Sequence, residues 1–87
     1  MAFIVTRIHV GDYDRWRPLF DQDQPKAREQ ATTQRVLRSA DDPNEVVILL
    51  EFDSLDDAHE SRERLQKAGV LDRFDDKTGP LVLEIAE

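Results

Sequence analysis

An α+β domain, with four antiparallel strands and two helices laid on one face in the order βαββαβ, is the architecture to which this 87-residue chain points. Three features carry the expectation. From Glu45 to Phe52, Val46, Ile48, Leu50 and Phe52 lie on one face at period two and Val47 and Leu49 on the other, so neither face of this strand can stand in water. The helical patterns at 12–30 and 54–69 can cover one such face but not both. Asp41-Asp42-Pro43-Asn44 has turn chemistry at every position and joins two strand-like runs into a hairpin. The chain is one domain, residues 1–87, and a domain of this size buries only roughly 60–65% of its extended surface. The uncovered sheet face is therefore expected to meet a second copy of the chain.

Phe3 to Val10 is rich in β-branched residues, too short for a buried helix, and ends at Gly11, so it reads as the first strand. Asp12 is the N-cap of a first helix that carries Tyr13, Trp16, Leu19 and Phe20 on one side and Asp14 in its positive first turn. An interior Pro18 would cost about 3 kcal/mol, and Pro25 is expected to break or restart the helix near Gln24, giving an irregular helix over 12–30. Thr32 to Ala40 alternates as the second strand. With Ala40 opposite Glu45, Leu37 faces Ile48, Arg35 faces Leu50 and Thr33 faces Phe52 on one surface, while Val36 faces Leu49 and Gln34 faces Glu51 on the other. A slip of one residue would invert this arrangement. Ser54 followed by Asp57 resembles a capping box, Gly69 supplies the stop, and Leu55, Ala58, Arg62 and Leu65 form the expected inward stripe. After an acidic loop, Asp72 to Gly79, Leu81 to Ala86 makes the last strand. Right-handed crossovers then place both helices on one side of the sheet, a ferredoxin-like arrangement.

The composition excludes several function classes. Nineteen acids against twelve bases give a net charge of −7, which repels phosphate backbones and anionic lipid, so nucleic-acid and membrane-surface partners are not expected. The longest apolar run, Val46 to Leu50, is far shorter than the roughly 20 residues of a membrane span. Met1 to Val10 has no basic leader or small-residue cleavage site, and the expected compartment is the cytoplasm. With no cysteine there is no disulfide, thiolate metal site or cysteine nucleophile. The two histidines stand fifty residues apart, and Asp72, Asp75 and Asp76 lack calcium-loop spacing, so no metal is expected. No phosphate loop, serine-nucleophile elbow or paired-carboxylate signature occurs.

The candidate residues follow from the faces. Arg35, placed beside Leu37, Leu50 and Phe52, would need an anionic partner such as a ligand carboxylate or enolate; the alternative is that it snorkels to water at a sheet edge. Trp16 and Tyr13 could stack on a planar ligand or simply pack the core. His59, about 70° from the centre of the second helix's apolar stripe, could act as a general base or be an ordinary boundary histidine. Glu51 with Arg7, and Gln34 nearby, could make charge-assisted contacts across a subunit interface.

The stretches Val5 to Trp16, Arg35 to Glu45 and Val46 to Leu55 resemble the dimeric α/β-barrel superfamily, and are most similar to its small antibiotic biosynthesis monooxygenase-like or "cyclase"-like members. The resemblance spans nearly the whole chain. It implies two open sheets paired face to face, with Ile48, Leu50 and Phe52 toward the helices and a cavity, and Val47, Leu49 and Glu51 toward the partner subunit. It further implies oxygenation of aromatic, polyketide-like substrates without flavin, metal or haem cofactor. Members often line the cavity with a tryptophan late in the third strand, where this chain has Phe52. The haem-degrading branch adds an asparagine on the first strand and a histidine late in the second helix; neither is present here, which argues against haem oxygenation. The function so implied is a homodimer whose cavity, bounded by Tyr13, Trp16, Arg35, Leu50, Phe52 and His59, binds a small apolar or aromatic molecule. In a monooxygenase or cyclase, Arg35 would stabilise developing negative charge and His59 or Tyr13 would move a proton. The alternative is a non-catalytic binding or structural dimer module.

Overall fold

The computed structural model describes residues 1–22 and 28–87, and the expectation for Pro25 and Gln24 lies outside them. The elements run β1 (Ala2–His9), α1 (Tyr13–Gln22), β2 (Thr33–Arg38), β3 (Glu45–Phe52), α2 (Leu55–Ala68) and β4 (Lys77–Glu84). They form one antiparallel sheet of order β2-β3-β1-β4. This is the expected ferredoxin-like βαββαβ topology, in which the two apolar strands β1 and β3 occupy the centre.

The pleat sorts the side chains. Ala2, Ile4, Thr6 and Ile8 of β1 and Val46, Ile48, Leu50 and Phe52 of β3 are buried under the helices. The other face carries Phe3 and Val5, Val47 and Leu49, and Leu37, Leu81 and Leu83; the last three are 49%, 45% and 45% exposed. Arg7 crosses this open face, donating to Glu45 at 2.9 Å, to Asp76 at 2.7 Å and to the Thr78 hydroxyl at 3.3 Å. It thereby ties β1 to β3 and to the start of β4. The hydrogen bond from Arg7 holds the Asp76 carboxyl below the usual carboxylate range.

Helix α2 begins as expected: the Ser54 hydroxyl accepts from the Asp57 N–H, and Gly69 closes the helix in the left-handed conformation. Its inward stripe is rotated from the expected one. Ala58 and Ser61 are buried and Leu55 is 40% exposed. Small residues at the contact let α2 lie directly on β1, β3 and β4. Helix α1 starts where expected, with Asp12 Oδ1 accepting from the Asp14 N–H at 3.0 Å. Pro18 stays inside it; Pro18 and Asp14 are both exposed, so the Asp14 carbonyl that loses its donor can turn to water.

Three further expectations are corrected. Helix α1 ends at Gln22, and residues 28–30, expected within it, form a turn. Strand β4 begins at Lys77, four residues before Leu81, because its first residues pair with Arg7 and Ile8 across a bulge near Thr6. The β2–β3 hairpin closes on Ser39 opposite Glu45, whose backbone bond is 2.9 Å, so its loop holds five residues, 40–44. The Ser39 hydroxyl accepts from the N–H groups of Asp41 and Asp42, and Asp42 Oδ1 accepts from Asn44. The extra loop residue changes the parity of β2. Val36 now pairs with Ile48, Leu37 with Val47, Gln34 with Leu50 and Arg35 with Leu49, which moves Arg35 and Leu37 to the open face and Gln34 to the helical one.

Gly79 has φ +94°, and a Cβ built on it would meet the Val5 carbonyl oxygen at 2.6 Å. A Cβ on Gly11, at φ +75°, would meet nothing within 4 Å. Gly79→Ala is therefore expected to cost about 2–4 kcal/mol and Gly11→Ala about 1 kcal/mol, read from urea midpoints. Equal costs at the two sites would contradict the close approach of β4 to β1.

Candidate functional site

Where α2 meets the sheet through alanine and serine, α1 reaches it through an indole. Trp16 is the buried residue of α1, and its size holds the helix off the strands. The space left beneath is a cavity of about 140 Å³. Its floor is Thr6 and Ile8 of β1 with Ile48 and Leu50 of β3, and Trp16, Leu19 and Phe20 of α1 form its roof. The far wall comes from Leu65 of α2 and from Val70, Leu71 and Phe74 in the connection to β4. Polar groups are few: Thr6, Gln22, Arg28 and Arg73.

An aromatic ladder runs along α1. The rings of Tyr13 and Trp16 lie 5.9 Å apart and those of Trp16 and Phe20 4.9 Å apart, as the three- and four-residue spacing of a helix dictates. Cations flank it. Arg38 sits 4.7 Å from the Tyr13 ring and Arg28 3.8 Å from the Phe20 ring. Arg28 also donates to the Phe20 carbonyl and, at 3.0 Å, to Gln34 on β2, bracing α1 against the sheet edge. The Tyr13 hydroxyl accepts from Arg17 at 3.1 Å, a bond that leads the causes raising the Arg17 pKa above its ordinary value.

Of the expected site residues, Trp16 and Leu50 line the cavity. Tyr13 stands one ring away, half-buried, outside the lining. Phe52 is fully buried in the core behind it and contributes no wall. Arg35 is exposed on the opposite face because the hairpin loop is one residue longer than expected. His59 is exposed on α2, 3.3 Å from an Arg62 nitrogen, because the inward stripe passes through Ala58 and Ser61. Within the subunit Arg7 pairs with Glu45 and Asp76, Glu51 accepts from the Thr33 hydroxyl at 3.0 Å, and Gln34, now on the helical face, binds Arg28.

Residues the sequence reading passed over had signals of their own. Thr6 lies between Ile4 and Ile8 on the inward face of β1, a polar position in an apolar row. Val70 and Leu71 stand just before the acidic loop expected at Asp72 to Gly79 and Phe74 lies within it, yet their spacing is that of a turn with an apolar side. Among the described residues no group of three or more His, Cys, Asp and Glu side chains could hold a metal ion.

No protein-family model matches this chain, and no curated protein sequence matches it. Solved structures do. Protein Atu4242 from Agrobacterium tumefaciens is 18% identical with a TM-score of 0.66, covering 99% of this chain and 94% of that one. A protein from Nitrosomonas europaea, provisionally described as an antibiotic biosynthesis monooxygenase, is 18% identical with a TM-score of 0.63, each chain covered in full at 100%. Rv0793 from Mycobacterium tuberculosis is 20% identical with a TM-score of 0.65, covering 99% and 95%. The likeness establishes the fold, a ferredoxin-like βαββαβ architecture shared with these three structures.

Trp16 is the single tryptophan and is 8% exposed, so it reports on the cavity alone. Phe20→Ala should shift its emission to the red, increase quenching by acrylamide, and destabilise the chain by about 1–3 kcal/mol. Arg35→Ala and His59→Ala should leave the emission unchanged; a red shift in either would place that residue against the indole.

Proposed function

We propose that this chain is a homodimer in which each subunit binds a small aromatic or polyketide-like molecule in the cavity beneath α1. The cavity carries the reading: about 140 Å³ walled by apolar side chains, with Trp16 and Phe20 available to stack and a polar group, Thr6, on the floor. That volume is close to the roughly 150 Å³ of a cavity known to hold benzene, so it takes one ring. The dimer is supported by the open face, where four strands contribute a contiguous apolar surface from Leu37 through Val47, Leu49, Val5 and Phe3 to Leu81 and Leu83. A single exposed leucine would need no partner; a sheet of them does.

The fold likeness favours cofactor-independent oxygenation or a cyclisation as the reaction. The lining favours binding without turnover as the second reading, because Thr6, Gln22, Arg28 and Arg73 include no side chain that exchanges a proton readily near neutral pH. In the catalytic version the expected proton carrier is Tyr13, whose hydroxyl must first leave Arg17. Oxygen uptake above background with anthrone-type or quinol substrates would establish the oxygenase. Trp16 quenching by the same compounds without uptake would leave a binding module.

The chain should sediment as a dimer at micromolar concentration, and Leu49→Lys, which puts a charge in the middle of the open face, should convert it to monomer with little loss of helix signal. A wild-type monomer at these concentrations would remove the dimer from the proposal.

A further inference from the structure

We infer that the molecule held beneath α1 is a single-ring aromatic carboxylate, its ring against Trp16 and Leu50 and its carboxylate on Arg73. The inference rests on the cavity being a ligand site and adds the chemical class. Size sets the ring count. Ligand pockets for drug-sized molecules run to about 300 Å³ and above, whereas about 140 Å³ accommodates one six-membered ring.

Charge sets the substituent. The protein has nineteen acids and twelve bases, yet the cavity is lined by Arg28 and Arg73 and by no Asp or Glu among the described residues. Among the described residues, a molecule with an excess of carboxylates brings none of them to this lining and two guanidinium groups instead. The two differ in what they already hold. Arg28 stacks on Phe20 at 3.8 Å and donates to the Phe20 carbonyl and to Gln34, so it is a structural wall. Arg73 donates its Nε to the Val70 carbonyl at 3.2 Å, lies 6.0 Å from the centre of the Phe74 ring, and forms no ion pair with a described residue, so its terminal nitrogens meet no described carboxylate. That single bond fixes the guanidinium to the backbone of the cavity wall, and a planar fork so anchored suits a carboxylate, which it can meet through two parallel hydrogen bonds. A neutral ring would fill the same volume and leave Arg73 as it is.

Benzoate and benzyl alcohol share the ring and differ in charge, and they separate the possibilities. Titrated against Trp16 emission, with equilibrium dialysis as an independent readout, benzoate should bind about three- to tenfold more tightly. The preference should shrink as salt is raised. Arg73→Gln should bring benzoate down to the affinity of benzyl alcohol and leave benzyl alcohol unchanged; Arg73→Lys, which keeps the charge, should retain part of the preference and shows that the loss is not a folding defect. Equal affinities in the wild type, or a preference that survives intact in Arg73→Gln, would overturn the assignment. Benzyl alcohol bound without preference for the acid would leave the cavity a ligand site of another class, whereas no binding of either compound would overturn the cavity reading and this inference together.

Discussion

The pleat of one strand governs the molecule. In β3 the side chains at even positions, Val46, Ile48, Leu50 and Phe52, are almost completely buried, and of the three between them Val47 and Leu49 are also aliphatic, with only Glu51 polar. An antiparallel sheet with one solvated face would carry polar groups at those intermediate positions. Because β1 repeats the arrangement with Phe3 and Val5 opposite Ile4 and Thr6, the two central strands are apolar on both sides, and two short helices can cover only one. The helices, the cavity beneath them and the bare face on the other side all follow from that excess.

The covered side is not covered evenly. Helix α2 meets the strands with Ala58 and Ser61 and closes down on β1, β3 and β4 at those positions. Helix α1 has Trp16 at the corresponding place and is anchored at its margins, by Asn44 accepting from the Tyr13 N–H at 3.0 Å and by Arg28 reaching from beyond its end. A helix propped on an indole and tied at its ends leaves space under its middle, and Val70, Leu71 and Phe74 fold over to wall it. The cavity is thus a product of unequal side-chain size at two helix contacts, and the apolar lining is what the sheet already presented there.

Strong periodicity made most of the fold legible. The alternation in β1 and β3, the Ser54 and Asp57 cap, the Gly69 stop and the Asp12 N-cap are local signals, and β1, β3, α2 and the start of α1 stand within a few residues of where they put them. The end of α1, which no such signal marks, falls at Gln22 and not near residue 30. The hairpin register was not legible, because it depends on a count. A loop of four residues and one of five use the same Asp-Pro-Asn chemistry, and only the Ser39 hydroxyl, capping the N–H groups of Asp41 and Asp42, selects five. That one residue carries Arg35 from the helical face to the open one and leaves Val36 opposite Ile48. The site was legible in its aromatic half, Trp16 with Phe20 beside it, and illegible in its loop half. Charge dominates the segment from Asp72 to Gly79 and hides Phe74 within it and Val70 and Leu71 just before it.

The same pleat makes the two surfaces neighbours without letting them overlap. Leu49 points to the bare face and is bonded on either side to Ile48 and Leu50, which floor the cavity, so the sheet between them is one backbone thick. Side-chain chemistry on one face is therefore free to change without touching the other. Backbone movement is not: a change in the twist of β3 imposed by a partner on Val47 and Leu49 would tilt Ile48 and Leu50 in the same motion. Arg7 stiffens this connection, because its bonds to Glu45, Thr78 and Asp76 bind β3, β1 and the start of β4 into one unit on the open side. The guanidinium holds Asp76 ionised to lower pH than an isolated carboxylate, so the clamp persists throughout the neutral range and weakens only as the pH falls through the depressed value. A cavity floor built on a clamped pair of central strands keeps its shape, and the roof, α1, rests on it through one buried side chain, Trp16, between ties at its two ends.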